Sequence, residues 1–273
     1  MNHYSARLMN RICILYLSFV FFISVIYSFP AFSQSMIVST EATVKDKYPK
    51  KIGNLRLSAN VLAMLTVKSN ASKSDTIKIF NAWNQPMTVG FSKVSLHIKM
   101  EAVPGKIEPG KTGFVICHYD AAKKNDYGFV MDKIILQTND SLQPNKTVSI
   151  TANIEEYFPP MNSLDSANAP RAGFTESRFD FGKVNQGEKV QHNFEIKNTG
   201  KKELLIRKTK SSCGCTVSQL EKTTVPPGES TFIKVTFNSS GRQGKEDRDI
   251  TVITNDPFKP VSVIFLNGEV MKQ

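Results

Sequence analysis

Cysteine is scarce in this chain: four residues in 273, beside a single tryptophan and four histidines. So few thiols cannot staple a scaffold together, so folding must rest on apolar cores. The histidines fall into no catalytic or metal-ligand spacing such as His-Glu-x-x-His. No Gly-x-Ser-x-Gly elbow, phosphate-binding loop or dinucleotide fingerprint occurs either. Carboxylates are present, but nothing in their spacing pairs two of them across a cleft. These absences argue against hydrolases and transferases, and the chain reads as a non-enzyme. Convincing amphipathic helices are also lacking, and one long apolar run stands at the N-terminus.

That run, Ile12 to Phe29, follows Arg7 and Arg11 and precedes the small-x-small site Ala31-Phe32-Ser33. It predicts a signal peptide over residues 1–33, cleaved before Gln34, with membrane attachment only if the segment is retained. Cleavage removes two arginines and no acids, which lowers the formal charge from +11 to +9. The expected location is the periplasm, the cell surface or the medium of a Gram-negative cell. Lys45, Lys47, Lys50 and Lys51 form one basic cluster, and Arg207, Lys208 and Lys210 another. They read as solvated surface or as contacts for other envelope proteins or anionic envelope glycans. Neither is interleaved with aromatics, so nucleic acid is not an expected partner.

What is abundant is alternation. Val190, His192, Phe194 and Ile196 alternate with Gln191, Asn193, Glu195 and Lys197, which predicts a half-buried strand. Turn signals follow at Asn198-Thr199-Gly200, Val225-Pro226-Pro227-Gly228, Gly241-Arg242-Gln243-Gly244 and Thr254-Asn255-Asp256-Pro257. Short strands at this spacing predict an all-β immunoglobulin-like sandwich. The plan occurs twice. Asn81 matches Asn198, Gly110 matches Gly228 and Asp140 matches Asp256, at offsets of 116 to 118 residues. The expected organisation is a divergent sandwich over 36–157, a linker over 158–173 rich in Pro, Asn, Ser and Ala, and a second sandwich over 174–273.

Phe179-Asp180-Phe181-Gly182, Asn198-Thr199-Gly200, Ser212-Cys213-Gly214-Cys215-Thr216, Pro227-Gly228, Gly241-Arg242-x-Gly244 and Thr254-Asn255-Asp256 occur in that order. The set resembles a bacterial exported domain family of unknown function with a Cys-Gly-Cys-Thr signature. That family is similar in fold to the hydin and major-sperm-protein branch of immunoglobulin-like sandwiches. The resemblance covers residues 179–270. Residues 60–155 share less of it and lack the paired cysteines. It implies the fold and carries no settled activity.

Cys213 and Cys215 are the conspicuous chemistry. Four readings stay open: a packing pair, reduced or closed as a local disulfide; a thiol–disulfide exchange site; a Cu(I) chelate; or a covalent link to a partner's thiol. In an extended strand their Cβ atoms stand too far apart to bridge, so closure needs a bend, and Gly214 permits a tight or positive-φ one. No cofactor is required on the packing reading; Cu(I) is the ion on the metal reading. Cys117 falls on the face of Val115 and Tyr119 and reads as core. Trp83, in a turn, reads as a contact anchor or as a loop folded back on the sandwich. Asp-Ser/Thr-apolar triplets mark Thr76, Ser141 and Ser166 as candidate O-glycosylation sites. The overall expectation is a non-catalytic binding or scaffolding protein. The alternatives are a thiol-redox or Cu(I) protein, and a periplasmic chaperone with an unpaired apolar edge strand in a groove between the domains.

Overall fold

The computed structural model describes residues 43–272, so the expected signal peptide lies outside the described residues. No helix among them is long and apolar enough to cross a membrane. The fold is all-β, and the described residues form 19 strands in four sheets that pair into two sandwiches.

The first sandwich contains β1 (Lys50–Ile52), β2 (Leu55–Leu57), β3 (Val61–Lys68), β4 (Ser72–Asn81), β5 (Met87–Ser92), β6 (Ile98–Val103), β7 (Lys106–Ile107), β8 (Thr112–Asp120), β9 (Gly128–Thr138) and β10 (Asn145–Glu155). One sheet runs β1-β2-β4-β8-β6 and the other β3-β10-β9-β5-β7. Period-two burial builds the core. On β8, Val115, Cys117 and Tyr119 are fully buried and face Ile77 and Ile79 of β4 across the ladder and Leu136, Val148 and Ile150 of the opposing sheet.

The second sandwich contains β11 (Ala172–Phe174), β12 (Arg178–Asn185), β13 (Lys189–Asn198), β14 (Leu204–Ser211), β15 (Thr216–Leu220), β16 (Thr224–Val225), β17 (Ser230–Asn238), β18 (Gly244–Thr254) and β19 (Val261–Met271). Its sheets run β11-β13-β17-β15 and β12-β19-β18-β14-β16. Phe194, Ile196, Ile233, Val235, Phe237, Ile250, Val252, Ile264 and Leu266 make its core.

The duplication holds down to individual buried polar groups. Asn81 and Asn198 are both fully buried. Asn81 Nδ2 donates to the carbonyls of Gln85 and Ile107, and Asn198 Nδ2 to those of Lys202 and Val225. Asp140 and Asp256 likewise each tie a turn to the chain entering their sandwich, through the N–H groups of Asn54 and Ala172. Such bonds satisfy backbone groups that burial would otherwise leave bare.

The interdomain stretch differs from its expected form. Residues 163–168 form a short helix capped by Asn162, whose side chain accepts from the Asp165 N–H. Ala172 and Gly173, assigned to the linker from sequence, already pair with Asn198 and Lys197 as part of β11. The polar composition concealed them because a three-residue edge strand carries too little apolar pattern to register.

Candidate functional site

The Cys-Gly-Cys turn crosses from one sheet of the second sandwich to the other. β14 ends at Ser211, opposite Ile250 of β18, and the Ser212 N–H still donates to the Asp249 carbonyl at 3.0 Å. The chain then bends. The Thr216 N–H donates to the Cys213 carbonyl at 3.4 Å, and the Asn238 N–H to the Cys215 carbonyl at 2.9 Å, which seats the start of β15 on β17. Within this bend Cys213 and Cys215 form a disulfide, with Cα atoms 5.4 Å apart. That spacing falls in the ordinary range for bridged cysteines. Gly214 supplies the bend without the positive φ open to glycine, and a Cβ there would meet nothing within 4 Å. The bend is made by the hydrogen bonds on either side of it, not by a left-handed residue.

The two sulfurs are not equivalent. Both are half-buried, but Cys215 packs against the second core and Cys213 lies outside that cluster. The hydroxyl of buried Thr216 lies 3.6 Å from Cys213 Sγ and 3.9 Å from Cys215 Sγ. The β14–β18 ladder ends at the Ser211–Ile250 pair, and Arg248 lies two residues further along β18. Arg248 shares the inward face of Ile250 by the period of two and ion-pairs with Glu246. Burial first, and Arg242 next, hold the Arg248 guanidinium below its ordinary range, with Asp249 opposing them. Its Nε has no hydrogen-bond partner among the described residues.

A Cu(I) site would have to draw both sulfurs from the disulfide. His192, the histidine on the neighbouring apolar face, does not turn toward them. Its Nε2 lies 2.6 Å from Glu176 Oε1, and its ring stacks on Phe179 at 3.7 Å. Among the described residues no three His, Cys, Asp or Glu side chains are grouped to hold a metal.

The basic run Arg207, Lys208 and Lys210, expected as partner contacts, faces the first sandwich instead. Arg207 grips Glu156 through Nη2–Oε1 at 2.6 Å and Nε–Oε2 at 3.1 Å, and its guanidinium stands 5.2 Å from the Tyr127 ring. Lys208 Nζ reaches Asp126 Oδ1 at 2.7 Å, and Lys210 Nζ lies 4.8 Å from the Phe129 ring centre. Gly128 has φ +69°, and a Cβ on it would come within 2.7 Å of Ile253 Cδ1. The cluster is therefore largely neutralised inside the chain. Sequence alone gave no sign of this, because its acidic partners lie more than 50 residues away.

Trp83 is half-buried against the first core, and its backbone N–H donates to Asn81 Oδ1 at 2.9 Å, so the turn folds back and the indole is not a free anchor. Of the candidate acceptor hydroxyls, Thr76 faces outward on β4 and Ser141 is exposed in the β9–β10 turn. Ser166 is half-buried in the short helix, where the sequence suggested an open linker. Cys117 is fully buried, and burial first, then Asp75 and Asp132, push its thiol up to about 12.

A buried network around Asp132 has no sequence signature. Asp132 accepts from Lys124 Nζ at 2.7 Å and Tyr119 Oη at 3.3 Å, and lies 3.0 Å from His97 Nε2. Burial raises its pKa, but the Lys124 and His97 contacts outweigh that and hold it low. On the second sandwich, a groove of about 510 Å³ is lined by Arg178, Lys183 and Lys245 against Asp180, Asp247 and Glu269. With both signs interleaved, it offers no single-sign field to an anionic glycan.

No curated protein sequence matches this chain. Among solved structures, a protein of unknown function from Porphyromonas gingivalis is 16% identical, with a TM-score of 0.58 over 80% of this chain and 100% of that one. A PapD-like domain of human CEP192 is 12% identical, with a TM-score of 0.32 over 44% of this chain and 96% of its own. The E. coli chaperone DraB is 11% identical, with a TM-score of 0.30 over 80% of this chain and 100% of that one. The first of these supports the fold across both sandwiches. Residues 172–270, the whole second sandwich with its Cys-Gly-Cys-Thr run, match the family model described as Protein of unknown function (DUF1573).

Proposed function

We propose that this is an exported, non-catalytic binding or scaffolding protein of a Gram-negative envelope, which holds two sandwiches in one fixed arrangement for partner proteins. The observation that carries this reading is the domain corner, where Arg207–Glu156 and Lys208–Asp126 join the halves around the tight Gly128–Ile253 contact. A bidentate guanidinium–carboxylate pair fixes orientation as well as distance. A scaffold needs surfaces held at constant spacing, and this joint supplies that. Other charged groups with buried partners serve the fold in the same way: Asp132 with Lys124 and His97, and Asp140 with Lys146.

Recognition would use the terminal strands. β6 and β15 each pair on one side only, leaving backbone donors and acceptors open to strand addition. A chaperone groove would need a long unpaired apolar edge at the domain corner. The corner is instead built from β9, β14 and β18, each hydrogen-bonded within its sheet, so the scaffolding reading is preferred.

The test is site-specific photo-cross-linking in cells that export the full chain, with the probe at Glu101 of β6 and Gln219 of β15. Discrete adducts with another envelope protein are expected from at least one edge. An envelope-located protein that gives no adduct from either edge or from the connecting loops would remove the binding role.

A further inference from the structure

We infer that the Cys213–Cys215 disulfide is a thiol–disulfide exchange site, taking two electrons from a dithiol on an exported polypeptide. This goes beyond the scaffolding role and does not depend on it.

The first support is that the fold does not need the bond. A bridge that closes a three-residue loop restricts the unfolded chain very little, because the stabilisation grows with loop length. The first sandwich makes the equivalent crossing, from β5 to β6 through residues 93–97, with no cysteine at all. A disulfide that is thermodynamically minor and locally dispensable is free to open and close.

The second support is directional access. Gly214 is exposed with open space above it, and of the two half-buried cysteines Cys215 is packed against the core whereas Cys213 is not. An incoming thiolate meets Cys213 first. Its sulfur bonds to Cys213 Sγ, the Cys213–Cys215 bond breaks, and Cys215 leaves with the electron pair as thiolate. The partner's second thiol, as thiolate, then attacks its own sulfur in the mixed disulfide and expels Cys213. The partner dithiol ends as a disulfide, and the two protons it gives up end on Cys213 and Cys215. β15 begins immediately after the site and is a terminal strand, so an extended substrate segment can pair beside the thiol it presents.

The third support is what awaits the thiolate. The Thr216 hydroxyl sits within 3.9 Å of both sulfurs. A hydroxyl donor beside sulfur favours thiolate.

The experiment uses the exported full chain in graded reduced and oxidised glutathione, followed by acid quench, alkylation and mass spectrometry. Cys213 and Cys215 should open and close reversibly while circular dichroism stays native and Cys117 stays unalkylated. Thiols that appear only after denaturation would overturn the inference. With oxidised glutathione as probe, Cys215→Ser should form a mixed disulfide roughly tenfold faster than Cys213→Ser, since its remaining sulfur is the one not packed against the core. Equal rates would refute the directional attack. In the Cys215→Ser background, Thr216→Val should raise the pH midpoint for Cys213 alkylation by about half a unit, and Thr216→Ser should restore it. An unmoved midpoint would remove Thr216 from the site. Should Thr216→Val fail to fold, the comparison of the two cysteine variants still decides the exchange.

Discussion

Lys146 is fully buried, and its ammonium meets Asp140 at 3.0 Å, Thr138 at 2.9 Å and the Gln143 carbonyl. Burial would raise the Asp140 pKa, but the Asn54 N–H, Lys146 and the Leu142 N–H outweigh it and hold the carboxyl below the usual range. A folded pKa below the unfolded value of about 3.9 contributes stability that is present above that value and lost as pH falls through the folded one. Removing one partner of a buried pair strands the other charge, at a cost of about 3–5 kcal/mol. Lys146→Met is therefore expected to destabilise the first sandwich by that amount at neutral pH, read by urea titration, with the deficit shrinking as pH falls and the stranded Asp140 takes up a proton. A deficit that does not shrink on acidification would mean the lysine does not control Asp140. The second sandwich solved the same corner differently: Ser262 stands where Lys146 does, and Asp256 takes backbone N–H donors from Ala172, Phe258 and Lys259.

The two parallel edge strands carry the same bulge. Register slips between Ala63 and Thr66 on β3 and between Asp180 and Lys183 on β12, and the extra residue takes positive φ in both: Leu65 at +54° and Gly182 at +67°. A side chain in this region costs roughly 1–2 kcal/mol, which glycine avoids. Gly182→Leu should thus destabilise the second sandwich by about that much, although a Cβ there meets nothing within 4 Å. Leu65→Gly should raise thermal stability slightly, because Leu65 is 69% exposed and loses little packing. A drop in melting temperature for Leu65→Gly would show that its side chain has a structural task. The bulge marks where sequence legibility ends at this scale. The alternating strands β4, β8, β13 and β17, their turns and the 117-residue repeat were readable because period-two burial is a local signal. The bulge was not, since Ala63-Met64-Leu65 carries no turn chemistry and its slip exists only against β10. The same distinction divides the candidate site. The cysteine pair and the Thr216 beside it could be read directly, whereas the bend that brings the two sulfurs together exists only in the fold.

How the halves sit together is set by contacts between residues distant in sequence, Arg207–Glu156, Lys208–Asp126 and Gly128–Ile253, and these decide whether the scaffold is rigid. Arg207 and Glu156 are 28% and 11% exposed, screened enough for a bidentate pair to outweigh an ordinary surface bridge. Glu156→Arg should set like charges together and open the corner. The expected outcome is a larger maximum dimension in small-angle scattering, with each sandwich retaining its own melting transition. Combining it with Arg207→Glu should restore the compact profile, since the swapped pair can form the same contact with reversed sign. Unchanged scattering in Glu156→Arg would mean that Lys208–Asp126 and the Gly128–Ile253 contact suffice alone, and Gly128→Val, with its Cβ forced into Ile253, would be the variant to separate them. A corner that stays open in the double swap would place the orientation elsewhere than in this pair. The constant spacing on which the scaffolding role rests would then need another source.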